Sequence, residues 1–147
     1  MEWARLLMNS VLVEPLTRKD LDRILKVWIE RLKLDRWDIQ IRWEKNVEPF
    51  SDGDLPEAEI KVHPDYDQAS IRINKERLPE WSRRDANLIL VHELLHVFER
   101  GTRQTVLALE ELLGNPAWHL LTNRYTHEAE NWVDRLSIIL VDLGGEV

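Results

Sequence analysis

The sequence predicts an α+β domain, and three observations predict it: one amphipathic helical pattern early in the chain, three short alternating runs in its middle, and only helical patterns after them. Residues 1–16 read as a lead-in that ends near Pro15. Thr17 sits where a helix N-cap belongs, with Asp20 three residues on in the capping-box position. Leu21, Ile24, Leu25, Trp28, Ile29 and Leu32 follow at helical spacing, giving a helix over about residues 18–34. The period then drops to two. Trp37, Ile39, Ile41 and Trp43 alternate with Asp38, Gln40, Arg42 and Glu44, the pattern of a half-buried strand. Residues 48–57, with Pro49, Gly53 and Pro56, read as a loop. Residues 58–63 and 69–74 alternate again, separated by the turn signal Pro64-Asp65-Tyr66-Asp67. Short connections between three such runs predict a three-stranded antiparallel sheet with one face on the core. Ser82, three residues before Asp85, starts a strongly apolar helix expected to run to Arg100 and stop at Gly101. A further helix is expected over Thr102–Leu113, stopped by Gly114-Asn115-Pro116. A last one should run from Ala117 or Thr122 to Leu143, with Tyr125, Ala129, Trp132, Leu136, Leu140 and Leu143 as its apolar stripe.

The 147 residues suit a single domain spanning 1–147, and 44% apolar with 32% charged residues suits a globular chain with a real core. The seven Trp are expected mostly in the core or in a cleft wall. A net charge of −7 argues against a nucleic-acid partner, which would require clustered Lys and Arg; the pair Arg83-Arg84 reads as a solvated helix start. With no Cys there is no disulfide, no thiolate metal site and no Cys nucleophile. No apolar run approaches membrane-spanning length. The first residues lack the basic start and cleavage site of an export signal and read as a structural helix or arm. A cytoplasmic protein is the expectation.

The chemistry is concentrated in His92-Glu93-Leu94-Leu95-His96. On a helix the two His project from one face about one turn apart, so both reach one metal ion. Zinc accepts neutral imidazole nitrogen in near-tetrahedral geometry. Glu93 lies about 100° around the helix from His92, beside the metal, where it can take a proton from water that the metal acidifies. The pattern arises by chance in under ~1% of chains of this length. Its apolar setting, Leu88 to Val91 before and Val97-Phe98 after, leaves two His in need of polar partners.

A catalytic zinc takes a third protein ligand and keeps one position open. The metzincin pattern is excluded, because Glu99 and Thr102 stand where it requires Gly and His; a site with a Cys ligand is excluded by composition. The last helix offers Glu128, Glu130, His127 and Asp134. Glu130 and Asp134 are four apart and share a face, so one can hold a metal while the other accepts from a ligand imidazole. Glu128 has Trp132 at the equivalent place but flanks the expected apolar stripe more closely.

The motif helix followed by Glu130-Asn131-Trp132-Val133-Asp134 resembles the gluzincin clan of zinc peptidases, with Val133 in place of the usual Ala. The layout is also similar to the small zincin-like cores of the SprT and ImmA/IrrE groups and to compact proteins with the same motif in bacterial and phage genomes. The resemblance implies a minimal zincin-like fold, zinc held by His92, His96 and Glu130, Glu93 as the catalytic base, and Asp134 holding a zinc-bound imidazole by its other nitrogen. It implies hydrolysis of a peptide or protein substrate lying extended along an edge strand, for which Ala69–Asn74 is the candidate. His63, His119, His127, Tyr66 and Tyr125 are the candidates for stabilising an oxyanion. Two other readings stay open: a metallohydrolase acting on a non-peptide amide, and a phage-type assembly or binding protein with a structural metal. The intact Glu93 counts against the second, since a structural site needs no general base.

Overall fold

The computed structural model describes residues 14–44 and 56–147. The chain runs α1 (Arg18–Arg31), β1 (Asp38–Glu44), β2 (Ala58–His63), β3 (Gln68–Asn74), α2 (Arg83–Leu107) and α3 (Asn115–Gly144), with short 3-10 turns at Pro64–Tyr66, Leu78–Glu80 and Glu110–Leu112. This is an α+β architecture. Most of the loop expected over residues 48–57 lies outside the described residues, as do residues 1–13.

Both capping boxes form. Thr17 accepts from the Asp20 N–H while the Asp20 carboxylate accepts from the Thr17 N–H, and Ser82 and Asp85 repeat the exchange at the start of α2. α1 buries Leu21, Ile24, Leu25 and Trp28 and ends at Arg31, three residues before its expected end. The cause is local: Lys33 adopts φ 58°, which a helix cannot continue through.

The sheet differs from expectation in a way that matters for the site. Its order is β1-β3-β2. β1 runs parallel to β3, with Ile41 opposite Ile71, and β2 runs antiparallel to β3, with Ile60 opposite Ile71. The sheet is therefore mixed, and the segment expected at the edge, Ala69–Asn74, is central. Alternation marks each strand but carries no information about order. The connection from β1 to β2 is long enough for β3 to insert between them. The burial of Ala69, Ile71, Ile73 and Asn74 fits a strand flanked on both sides. Among the described residues β1 and β2 are the edges.

α2 is the central helix: it packs on β2, α1 and α3. Its core face includes Ala86, Leu90, Val91, Leu94, Leu95 and Val97. It does not stop at Gly101 but continues to Leu107, so the separate helix expected over Thr102–Leu113 is absent. A glycine inside a helix costs only about 1 kcal/mol, and no proline follows to enforce a break. α3 begins at Asn115, earlier than expected, with Pro116 in its first turn where a missing N–H costs nothing. Its buried face is Ala129, Val133, Ser137 and Val141. The expected stripe is rotated away from this: Trp132, Leu136 and Leu143 are exposed. Among the described residues no helix is long and apolar enough to cross a membrane.

One buried side chain ties the helices together. Asn87 accepts from the Trp28 indole N–H at 2.7 Å and from the Val147 N–H at 3.2 Å, and donates to the Arg83 carbonyl at 2.9 Å. α1, α2 and the residues after α3 thus share one polar junction in an otherwise apolar region.

Candidate metal centre

α2 places His92 and His96 one turn apart, and α3 crosses so that Glu130 faces both. The imidazole Nε2 atoms lie 3.2 Å apart. Glu130 Oε2 is 3.3 Å from Nε2 of His92, and Oε1 is 3.6 Å from Nε2 of His96. The three groups form the one His/Cys/Asp/Glu cluster among the described residues suited to hold a metal ion, with all ligand atoms within 4.8 Å of one another.

Each imidazole meets a carboxylate with its other nitrogen. His92 Nδ1 lies 2.9 Å from Asp134 Oδ1, and His96 Nδ1 lies 3.6 Å from Glu99 Oε2. A carboxylate there favours a proton on Nδ1 and leaves the Nε2 lone pair pointing inward. In the metal-free molecule a protonated His92 donates to Glu130 from Nε2; with both Nε2 atoms deprotonated, two lone pairs and a carboxylate converge, an arrangement suited to a cation. Ligand atoms about 2.0–2.1 Å from a tetrahedral ion are about 3.3–3.4 Å apart, close to the three separations found. The donor set of two imidazoles and one carboxylate therefore fits zinc in chemistry and in spacing.

Glu93 is 7% exposed and lies beside the cluster. Burial pushes its carboxyl up to about 7, against the opposing pull of His92 and of a hydrogen bond from the Ile60 backbone. Glu130 is lowered, first by its hydrogen bond to His92 and then by the charges of His96, His92 and Arg103, against some desolvation. The two imidazoles diverge. Burial disfavours the cation in both; at His92 it is outweighed by the Glu130 hydrogen bond and the charges of Glu93, Glu130 and Asp134, so the pKa rises, whereas at His96 burial prevails and the pKa falls.

The cluster sits in an open cleft with a cavity on either side. One, of about 590 Å³, is lined by β2 together with Glu99, Arg100, Arg103 and Thr126. The other, of about 580 Å³, is lined by Pro56, Glu57, Leu88, Ile89, Ser137 and Ile138. Both share Ala58, His92, Glu93 and Glu130.

The other candidates fall elsewhere. Glu128 is exposed and outside the cluster, and His127 contacts Asn131 at 3.1 Å. His63, His119 and Tyr66 are exposed and line neither cavity. Tyr125 donates its hydroxyl to Glu99; burial, and then this bond, push its pKa up to about 12. That contact exposes what sequence reasoning missed. Glu99 is buried, accepts from Tyr125, and is gripped by Arg103 Nε at 3.1 Å while it faces His96. The signal was present, since Glu99 and Arg103 are four apart. The expected break at Gly101 placed them on different elements.

No family model, curated protein or solved structure matches the chain.

Proposed function

We propose that the chain is a zinc-dependent peptidase. The observation that carries this reading is the convergence of three acceptors, His92, His96 and Glu130, in an open cleft beside the buried carboxyl of Glu93. His92, His96 and Glu130 would hold the metal. Asp134 and Glu99 would orient the imidazoles by their Nδ1 atoms. Zinc held there supplies a Lewis acid that polarises a carbonyl and acidifies water. Glu93 takes a proton from water as the water oxygen attacks the carbonyl carbon, and returns it to the amine nitrogen as the C–N bond breaks.

A peptide, rather than another amide, is favoured by the edge of the sheet. The Glu57 carbonyl accepts from the Asn74 N–H, facing β3. By alternation the N–H and C=O groups of Ala58, Ile60 and Val62 face away from β3, along the wall of the cleft, with the Ile60 N–H already donated to Glu93. An extended peptide can pair with such an edge. This assigns the substrate-side edge to β2 in place of Ala69–Asn74.

Incubation of the zinc-loaded protein with a mixed library of synthetic peptides, read by mass spectrometry, tests the proposal. New termini are expected with the parent protein and not with Glu93→Gln. Cleavage at equal rates by both would remove Glu93 from the mechanism, and no cleavage by the parent would overturn the reading.

A further inference from the structure

We propose that the cleft selects peptides carrying an acidic side chain, seated on Arg100 at the Val62 end of β2, with an apolar side chain at the Ala58 end. This rests on the peptidase reading and names the substrate class of the same site.

Arg100 follows Glu93 by seven residues on α2, which brings it back to within about 20° of the same face, about 10 Å further along the helix. It lines the cavity that Glu93, His96 and Val62 also line. The other charges of this cavity are taken up. Glu59 pairs with Arg72, Glu99 pairs with Arg103, and Glu130 faces the two imidazoles. Arg103 also lies over the Tyr125 ring, with its guanidinium carbon 5.7 Å from the ring centre. Arg100 is different. Among the described residues no carboxylate pairs with it, and its Nε is buried without a hydrogen-bond partner. Arg100 lines the cavity as a cation without a carboxylate, and a guanidinium binds a carboxylate through two parallel N–H bonds.

The opposite cavity has the reverse character. Its carboxylates are engaged, Glu57 by Arg77 and the Trp81 indole, and Asp134 by His92. Beyond the groups it shares with the cluster, Leu88, Ile89 and Ile138 line it together with Pro56, Ala58 and Ser137. At about 3.4 Å per extended residue, the 10 Å from Glu93 to Arg100 places the acidic side chain about three residues from the scissile bond, or about two once the reach of the Arg side chain is counted.

The test is fluorescence anisotropy of fluorescein-labelled octapeptides, each with one Asp and one Leu four positions apart in an otherwise Ala sequence, made in both orders. They are titrated with zinc-loaded Glu93→Gln protein, so binding is read without turnover. One order should bind at least about tenfold more tightly than the same peptide with Asn or Lys for Asp. Arg100→Ala in that background should bring the Asp and Asn peptides to equal affinity without weakening the Asn peptide, and Arg100→Lys should restore part of the difference. Equal binding of Asp and Asn peptides by the Arg100 protein, or a preference that survives Arg100→Ala, overturns the proposal. Acid-selective binding without cleavage by the zinc-loaded parent would overturn the peptidase reading alone, whereas failure of every peptide to bind would overturn both.

Discussion

Glu93 is a carboxyl kept where its charge is disfavoured, and that has a measurable consequence for the metal-free protein. Its pKa is raised from 4.5 to about 7 by burial. Between those values the folded chain keeps a proton that the unfolded chain has lost, so stability falls as pH rises through this window and the penalty is complete above it. A shift of that size corresponds to about 3 kcal/mol. Glu93→Gln should therefore raise the thermal midpoint of metal-free protein at pH 8, with the gain fading toward pH 4.5; an equal gain at both pH values would contradict the burial argument. The carboxylates around the imidazoles make unequal predictions of their own. Glu130→Ala should weaken zinc binding most, since a ligand is lost. Asp134→Ala should weaken it about 10–100-fold through the His92 Nδ1 contact. Glu128→Ala should leave it unchanged, as Glu128 is outside the cluster. Chelator competition at fixed pH ranks the three, and a dominant effect of Glu128→Ala would contradict the geometry.

At the scale of elements, the sequence was informative wherever one local pattern sufficed. The capping residues Thr17 and Ser82 mark true helix starts, and the spacing of His92 with His96 and of Glu130 with Asp134 places each pair on one face. Strand order was not legible, because the alternation in residues 69–74 is the same for an edge as for a centre; inserting β3 between β1 and β2 is a tertiary choice. The buried face of α3 is not legible from apolarity, because Trp132, Leu136 and Leu143 are apolar yet exposed, while the smaller Ala129, Val133 and Ser137 allow close approach to α2. Gly101 is ambiguous for a related reason: a glycine permits a helix end without requiring one. Its φ is not positive, and nothing lies within 4 Å of where a Cβ would stand. Gly101→Ala should thus stabilise the protein by about 0.5–1 kcal/mol, measured by denaturant unfolding. A loss of stability would mean that α2 breaks there, and would separate Arg103 from Glu99.

At the scale of the whole molecule, α2 joins the two requirements of the site. One of its faces packs on the sheet and on α1, and another meets α3 at the cluster. The position of α3 relative to α2 is set partly at the far end of both helices. There Asn87 binds Trp28 and Val147, and Arg84 pairs with Asp142 at 2.7 Å. Asn87→Ala should cost about 2–4 kcal/mol by leaving the indole N–H and the Val147 N–H without their acceptor. On the proposed reading, α2 and α3 together build a zinc centre from His92, His96 and Glu130. Zinc K-edge X-ray absorption of the protein loaded with one equivalent of zinc reads out the ligands of that centre. Two imidazole nitrogens and carboxylate oxygen are expected at about 2.0–2.1 Å, with a further oxygen filling the open position. That spectrum should be lost in the His92→Ala/His96→Ala variant. A spectrum without imidazole, or one that the double variant reproduces, would contradict the reading.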